Sequence, residues 1–287
     1  MSRKPISVAG IKAGIGITAR AETLAGGLPA LVLAAERLAA HVAAGRHGRR
    51  RAGMGDEFWQ FRDFRDGDSP REIDWRRSAR GSTVFLRERE LESAEILRLH
   101  IADHPGMAWR SDPSLPTKQE RAILLALACA SLALRGGEMV GLAGRTRPLR
   151  GPHALEGLAQ AIGQTGQDRA LNAGRPAWFG DFLDDPAALA VALGGSGKAG
   201  VLVQILDPAE IKFPYQGRIL FEGPAGEKPE DISRAQAVRE AYLARLDAQR
   251  EAVRQAALAA GLTPLFHRTD AAPAPALAAI YAALRPA

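Results

Sequence analysis

Cysteine is nearly absent from this chain: among 287 residues only Cys129 carries a thiol. No internal disulfide is available, so the fold must rest on packing, and the chain suits a reducing compartment. Cys129 stands among Leu127, Ala128 and Leu132 with no cation beside it, the setting of a small buried hydrophobe and not of an activated nucleophile. Long apolar runs are missing too. The best stretch, residues 28–44, is interrupted by Glu36, Arg37 and His41, so it reads as an amphipathic helix and not as a membrane span. Ahead of it lie Arg3, Lys4 and a glycine-broken apolar run without a convincing cleavage site, which predicts a mobile tail over residues 1–27 and a cytoplasmic protein. A phosphate cradle is also lacking. Gly194, Gly195, Ser196, Gly197 and Lys198 imitate the end of a P-loop, but Ala192 replaces its first glycine and Ala199 its hydroxyl. The run also follows a predicted helix and precedes a predicted strand, the reverse of a phosphate site. Ser78, Asp103 and His104 form a hydrolytic triad only on paper, because no nucleophile elbow supports it. His100 and His104 sit on a strand and its exit, where four-residue spacing does not aim two rings at one metal. No cofactor and no small-molecule substrate are expected.

What is present is ordinary globular material with a basic bias. Hydrophobic residues make up 46% and charged residues 24% of the chain, enough to bury a core for one large domain or one domain with an appendage. The net charge of +6 favours solubility and weak attraction to nucleic acid or anionic surfaces, without choosing between them.

The segment 45–92 is the most distinctive. Asp66, Gly67, Asp68, Ser69 and Pro70 make a dense turn signal, since glycine tolerates positive φ, Asp and Ser bond locally to the backbone and proline fixes φ. Around the turn Arg62, Arg65, Arg71, Arg76, Arg77 and Arg80 interleave with Asp63, Asp66, Asp68 and Asp74. Planar guanidinium groups hold carboxylates through paired hydrogen bonds, so internal pairing is the first reading; arginines facing an acidic partner are the second. Trp59, Phe61, Phe64 and Trp75 among the arginines also suit stacking on a single-stranded nucleic acid. The interleaved aspartates repel phosphate and weigh against it.

The order Gly53, Gly55, Glu57, Phe58, Arg62, Phe64, Gly67, Asp68, Arg71, Ile73, Asp74, Trp75, Ser78, Ala79 and Arg80 resembles the signature of DUF58 proteins, with Phe64 where tyrosine is usual. The resemblance implies a von Willebrand factor type A-like domain downstream, and a MoxR-type AAA ATPase as partner. Many relatives carry membrane helices ahead of the signature; none is expected here.

Beyond the signature, strand and helix patterns alternate. Residues 95–102, 139–143, 177–183, 200–206 and 263–267 read as strands, and residues 118–135, 153–162, 186–193, 233–260 and 276–284 as helices. Residues 213–222, broken by Tyr215, Gln216 and Gly217, read as a hairpin. Such alternation predicts an α/β fold, an open and mostly parallel sheet with helices on both faces, preceded by an N-terminal helix and the signature extension. The expected division is a tail over 1–27, helix and signature over 28–92, and a von Willebrand A-like domain over 93–287.

In such sheets ligands gather at the carboxyl ends of the strands, where Asp103, Asp181 and Asp207 are predicted to fall. Hard cations favour that kind of donor set. A von Willebrand A metal site, however, needs D-x-S-x-S after the first strand, and Pro105 and Met107 stand in place of both serines. Asp181 resembles the motif's later aspartate, but Gly180 replaces the serine before it and the motif's threonine has no counterpart. Asp103 and Asp181 are therefore expected to be remnants of a degenerate metal site. The function expected is that of a non-enzymatic adaptor to a MoxR-type ATPase. Arg62, Gly67, Asp68, Arg71, Asp74, Trp75 and Arg80 would fix the signature's shape or meet that partner. The alternatives are a metal-assisted hydrolase built on the strand-end aspartates and a basic nucleic-acid-binding protein.

Overall fold

The computed structural model describes residues 6–8, 17–44, 58–63, 73, 75–79, 81, 84–89, 95–162, 174–194, 199–223 and 227–285. The chain divides into two units, His47–Glu95 and a larger one made of Met1–Arg46 with Ile96–Ala287. Where the sequence pattern joined the N-terminal helix to the signature over 28–92, the helix belongs with the larger unit.

The larger unit opens with β1 (Ile6–Val8) and α1 (Ile17–Ala44). The helix starts well before the expected residue 28, inside the stretch read as a tail, and runs through Pro29. Leu28, Ala35, Ala39 and Val42 are buried, with Leu31, Val32 and Leu38 packed beside them. This spacing of three and four residues lays one stripe against the core. One expectation needs correcting here. By length and composition Gly27–Ala44, with a mean hydropathy of 1.3, is apolar enough to cross a bilayer; Glu36 and Arg37 do not disqualify it. Its buried face rests on the core of this unit.

The smaller unit contains β2 (Phe58–Asp63), α2 (Trp75–Ser78) and β3 (Phe85–Arg89). β2 and β3 pair antiparallel, Arg62 opposite Leu86. The Phe85 N–H donates to Ser78 Oγ at 2.9 Å, tying the short helix to the start of β3.

The larger unit resumes with β4 (Ile96–Ile101), α3 (Lys118–Arg135), β5 (Met139–Leu142), α4 (Ala154–Ile162), β6 (Arg175–Gly180), α5 (Pro186–Leu193) and β7 (Gly200–Leu206). α6 (Pro208–Lys212), β8 (Ile219–Phe221), β9 (Glu230–Ile232), α7 (Ala235–Ala259), β10 (Leu262–Arg268) and α8 (Pro273–Ala283) complete it. Five strands form a parallel sheet in the order β10-β7-β6-β4-β5. This is the open α/β sheet expected, with helices on both faces. On one face Leu97, Leu99, Phe179, Val201, Val203 and Ile205 share a core with α1, α3, α4 and α8; on the other, Leu202 and Leu262 pack against Leu193 of α5 and Val253 and Ala257 of α7. β7 alternates between the two cores, which is why its sequence is apolar nearly throughout. Each such side chain contributes about 1.5–3 kcal/mol through burial.

α3 spans the range its pattern predicts. Thr117 caps it: Thr117 Oγ1 accepts from the Glu120 N–H at 3.1 Å, and the Thr117 N–H donates to Glu120 Oε2 at 2.7 Å. This reciprocal box satisfies two of the helix's orphan donors. The hairpin expected over 213–222 is displaced. Asp207 opens α6 instead, and Phe213 ends it in a left-handed conformation with φ 43°. Phe213 is held there by Tyr215, Phe221 and Tyr242. The reversal falls later, between β8 and β9, which pair antiparallel while β1 adds in parallel to β8.

Candidate functional site

The sheet order places β4 between β5, the next strand in sequence, and β6, the one after. The chain therefore changes its direction of travel across the sheet at β4, and the carboxyl ends of β4 and β6 border a crevice of the kind that binds ligands in such folds. Four side chains meet there from four segments. Lys118, the first residue of α3, is 2% exposed and places Nζ 2.7 Å from Asp181 Oδ2 and 2.6 Å from Glu210 Oε1. His104, on the turn after β4, brings Nε2 to 3.0 Å from Asp181 Oδ1. Asp181 follows β6 directly, and Glu210 sits in the first turn of α6.

Each position has a local cause. Asp207 follows β7 directly and caps α6, Oδ1 accepting from the Ala209 N–H at 2.8 Å, while Glu210 Oε2 accepts from the Asp207 N–H at 2.8 Å. The capping box thus fixes Glu210 with its other oxygen turned toward Lys118. Asp181 is presented by a strained corner: Phe182, next in sequence, has φ 50°, a conformation costly for a bulky side chain. Two glutamines hold the corner. Gln204 Nε2 donates to the Asp181 carbonyl at 2.9 Å, and Gln249 Nε2, from α7, donates to the carbonyls of Phe182 and Asp184 at 3.0 and 2.6 Å.

The charges follow from this geometry. Burial alone would push the Asp181 carboxyl up, but the His104 and Lys118 bonds outweigh it and bring the pKa down to about 2. Burial likewise opposes the Lys118 charge, and Glu210 and Asp181 overcome it, so its pKa lies above the ordinary lysine value. At Glu210 burial prevails over the Lys118 bond and raises the carboxyl; Asp181 is the fixed anion of the pair. The bond to Asp181 raises His104 against the effect of burial.

The three strand-end aspartates do not form one site. Asp103 turns aside, Oδ1 accepting from Gln119 Nε2 at 3.1 Å with Arg145 Nη2 3.5 Å from Oδ2. Asp207 is wholly buried and takes backbone donors, from Ala209 and, at 3.0 Å, from Ser111. Only Asp181 reaches the cluster, and its two oxygens face His104 and Lys118. Pro105 and Met107 lie in a 3-10 turn with Met107 fully buried. The serine missing ahead of Asp181 also has no room, because a Cβ at Gly180 would come within 2.8 Å of the Ala102 Cβ and 3.1 Å of the Phe182 ring. Among the described residues no group of three His, Cys, Asp or Glu gathers as a metal set. These residues do not fit a divalent cation; the buried charge opposite Asp181 is the ammonium of Lys118.

Sequence reasoning passed over Lys118, Glu210 and the pairing of His104 with Asp181. Two signals were available. Lysine at the first position of a capped helix opposes the helix dipole, and Asp207 followed three residues later by Glu210 is a capping-box pattern. His100 stacks on Trp178 with ring centroids 3.7 Å apart, and burial lowers its pKa to about 4. The Cys129 thiol is buried, as its apolar neighbours predict, and burial pushes its pKa up to about 12. Of the signature residues, Arg62 lies in β2 and Trp75 opens α2, 65% exposed. Gly67, Asp68, Arg71, Asp74 and Arg80 lie outside the described residues, as do residues 195–198 of the P-loop-like run.

A family model described as a protein of unknown function, DUF58, matches residues 60–162 and 149–252. The chain belongs to the DUF58 family. His104, Lys118, Asp181 and Glu210 all fall inside the matched DUF58 residues, whereas β10 and α8 lie beyond them. No curated protein and no solved structure matches the chain.

Asp181 has a folded pKa of about 2 against 3.8 unfolded, so its contribution, about 2 kcal/mol, is full above pH 4 and is lost as the pH falls toward 2. His104, raised above 6.5, contributes fully below that pH and loses its contribution as the pH rises through its folded value. Urea titrations should show Asp181→Asn flattening the acid limb, His104→Ala flattening the limb above pH 6.5, and Lys118→Met costing about 3–5 kcal/mol at pH 7 by stranding two carboxylates. Unchanged stability in Lys118→Met would refute the buried pairing. Calorimetry with Mg²⁺ or Mn²⁺ should find no binding tighter than about 1 mM, and Gly180→Ser should lower stability by about 1–3 kcal/mol through overpacking without gaining affinity for either ion.

Proposed function

We propose that this DUF58 protein is a non-enzymatic adaptor, a von Willebrand A-like domain whose cation position has been taken over by a lysine, and that it serves a MoxR-type AAA ATPase. The observation that carries the reading is the Lys118–Asp181–Glu210 cluster. A carboxylate at the end of a central strand is committed to an internal ammonium, and the turn after β4 supplies Pro105 and Met107 where an oxygen shell would need hydroxyls. A group so neutralised neither polarises a substrate nor activates water, the roles that a catalytic cation performs. What it does supply is a fixed relation among the ends of β4 and β6 and the starts of α3 and α6, which suits a surface that must keep its shape while binding.

The signature unit supplies a second argument. Trp75 is 65% exposed on α2, with Arg76 and Ala79 also exposed beside it, while Ser78 turns inward to the Phe85 N–H. Exposed tryptophan next to arginine is the composition that dominates protein-binding energy. Between His47 and Glu95 eleven arginines face eleven Asp and Glu residues. The unit is thus electrically balanced, which favours ion pairing over attraction to nucleic acid.

The experiment is capture of the ATPase by the purified chain. Trp75→Ala should leave stability within about 0.5 kcal/mol, as an exposed site allows, and weaken capture by roughly 30-fold, the loss of a hot-spot residue. Arg71→Ala separates shape from contact: a folded variant that loses the ATPase marks recognition, an insoluble one marks structure. Turnover of a small molecule that disappears in Asp181→Asn would overthrow the adaptor reading.

A further inference from the structure

β8 is the central strand of the small sheet β1-β8-β9, and its two edges are closed in different ways. On one side β9 follows it in the chain and pairs antiparallel, Ile219 opposite Ile232 and Phe221 opposite Glu230. β9 ends that sheet and carries the exposed Glu230 and Asp231, with Arg218 Nε donating to Asp231 Oδ1 at 2.9 Å. Charge on an outer strand is how a permanent sheet edge discourages further pairing. The other side of β8 lacks that device. Its residues, Ile219, Leu220 and Phe221, are all apolar, and Ile219 and Phe221 belong to the cluster of Phe213, Tyr215 and Tyr242. What closes this side is β1, lying parallel to β8 with Ile6 opposite Ile219 and Val8 opposite Phe221.

The cover is small. β1 has three residues, and eight more separate Val8 from the start of α1 at Ile17. The backbone entropy lost in ordering three residues is of the same size as the hydrogen bonds they gain, and parallel pairing is slightly weaker per residue than antiparallel. Such a strand alternates between bound and released. Each release leaves β8 with a row of N–H and C=O groups beside an apolar cluster, which is the surface an extended peptide completes by adding a strand.

We infer that the β1 side of β8 is a docking edge for an extended segment of a partner polypeptide, entering parallel to β8, and that residues 6–8 hold this edge closed in the free chain. The edge sets the chemistry of the occupant. Its backbone must be able to bond, which excludes proline at the pairing positions. Apolar residues belong at the two positions opposite Ile219 and Phe221, because residues paired across a sheet share a face and these two lie in the aromatic cluster. The sequence of β1, Ile6 and Val8 on either side of Ser7, has that pattern. The inference is independent of the adaptor reading, since the edge accepts a strand whatever the partner is.

The test titrates the full chain with a blocked peptide of residues 4–10 and follows the amide NMR signals of Ile219, Leu220 and Phe221. A strand tethered through so few residues competes at an effective concentration on the order of millimolar, so the wild-type chain should bind the peptide weakly. Ser7→Pro with Val8→Pro removes donors from β1; this variant should bind the peptide about tenfold tighter or more, with shifts centred on β8. The same peptide carrying both prolines should shift nothing. Absence of shifts in the variant, or equal binding by variant and wild type, would overturn the inference. If the variant does not fold, hydrogen exchange on the wild-type chain decides. The β8 amides on the β1 side should exchange about a hundredfold faster than those of β7, and equal protection would overturn the inference by making β1 a permanent strand. A wild-type chain that sediments as a dimer and becomes a monomer in the variant would overturn it in favour of strand exchange between two copies. These titrations contain no ATPase, so failure of ATPase capture would count against the adaptor reading alone.

Discussion

The ammonium of Lys118 is the constraint on which the carboxyl-end face depends. Removing an ion from water costs several kcal/mol even after relaxation, and the cost is offset only when partners sit at hydrogen-bond distance. Here Asp181 at 2.7 Å and Glu210 at 2.6 Å provide them. The lysine also stands at the start of α3, where the helix dipole disfavours a cation, so the two carboxylates must outweigh the dipole as well. The bonds therefore fix more than a charge. They join the end of β6 to the starts of α3 and α6, with His104 adding the turn after β4, and so set the spacing of the segments around the β4 crevice.

The Asp181 corner shows how this arrangement is maintained. Phe182 at φ 50° is uphill for a bulky residue and persists only where its surroundings over-determine it. Gln204 from the sheet and Gln249 from α7 bond the carbonyls on either side, while Gly180 lets Ala102 and the Phe182 ring approach closely. The same corner supplies Asp181 to the cluster and Phe182 to the wall of a cavity at the carboxyl end of β4. Strain held at this corner and a strand-end carboxylate neutralised internally are the observations from which the adaptor proposal is argued.

Much of the fold could be read from the sequence because its strongest signals are local. The helical pattern over 118–135, the nearly continuous apolar run of β7, and the alternation of strands with helices each reflect a periodicity that burial imposes. Reading failed where distant partners override local pattern. Phe213 looked like a strand residue and Tyr215 part of a hairpin's turn, yet an aromatic cluster with Tyr242 of α7 holds them in an irregular connection. Of the site, the sequence offered Asp181 at a strand end, but nothing near it in sequence announced that Lys118 and Glu210, 63 and 29 residues away, would close around it.

The most direct measurement is the titration of the Lys118 side chain followed by NMR of its Nζ and Cε nuclei. A lysine bonded to two buried carboxylates should remain an ammonium beyond the ordinary lysine pKa of about 10.4, with hydrogens slow to exchange. Deprotonation well below that value, as for a buried lysine without partners, would contradict the account.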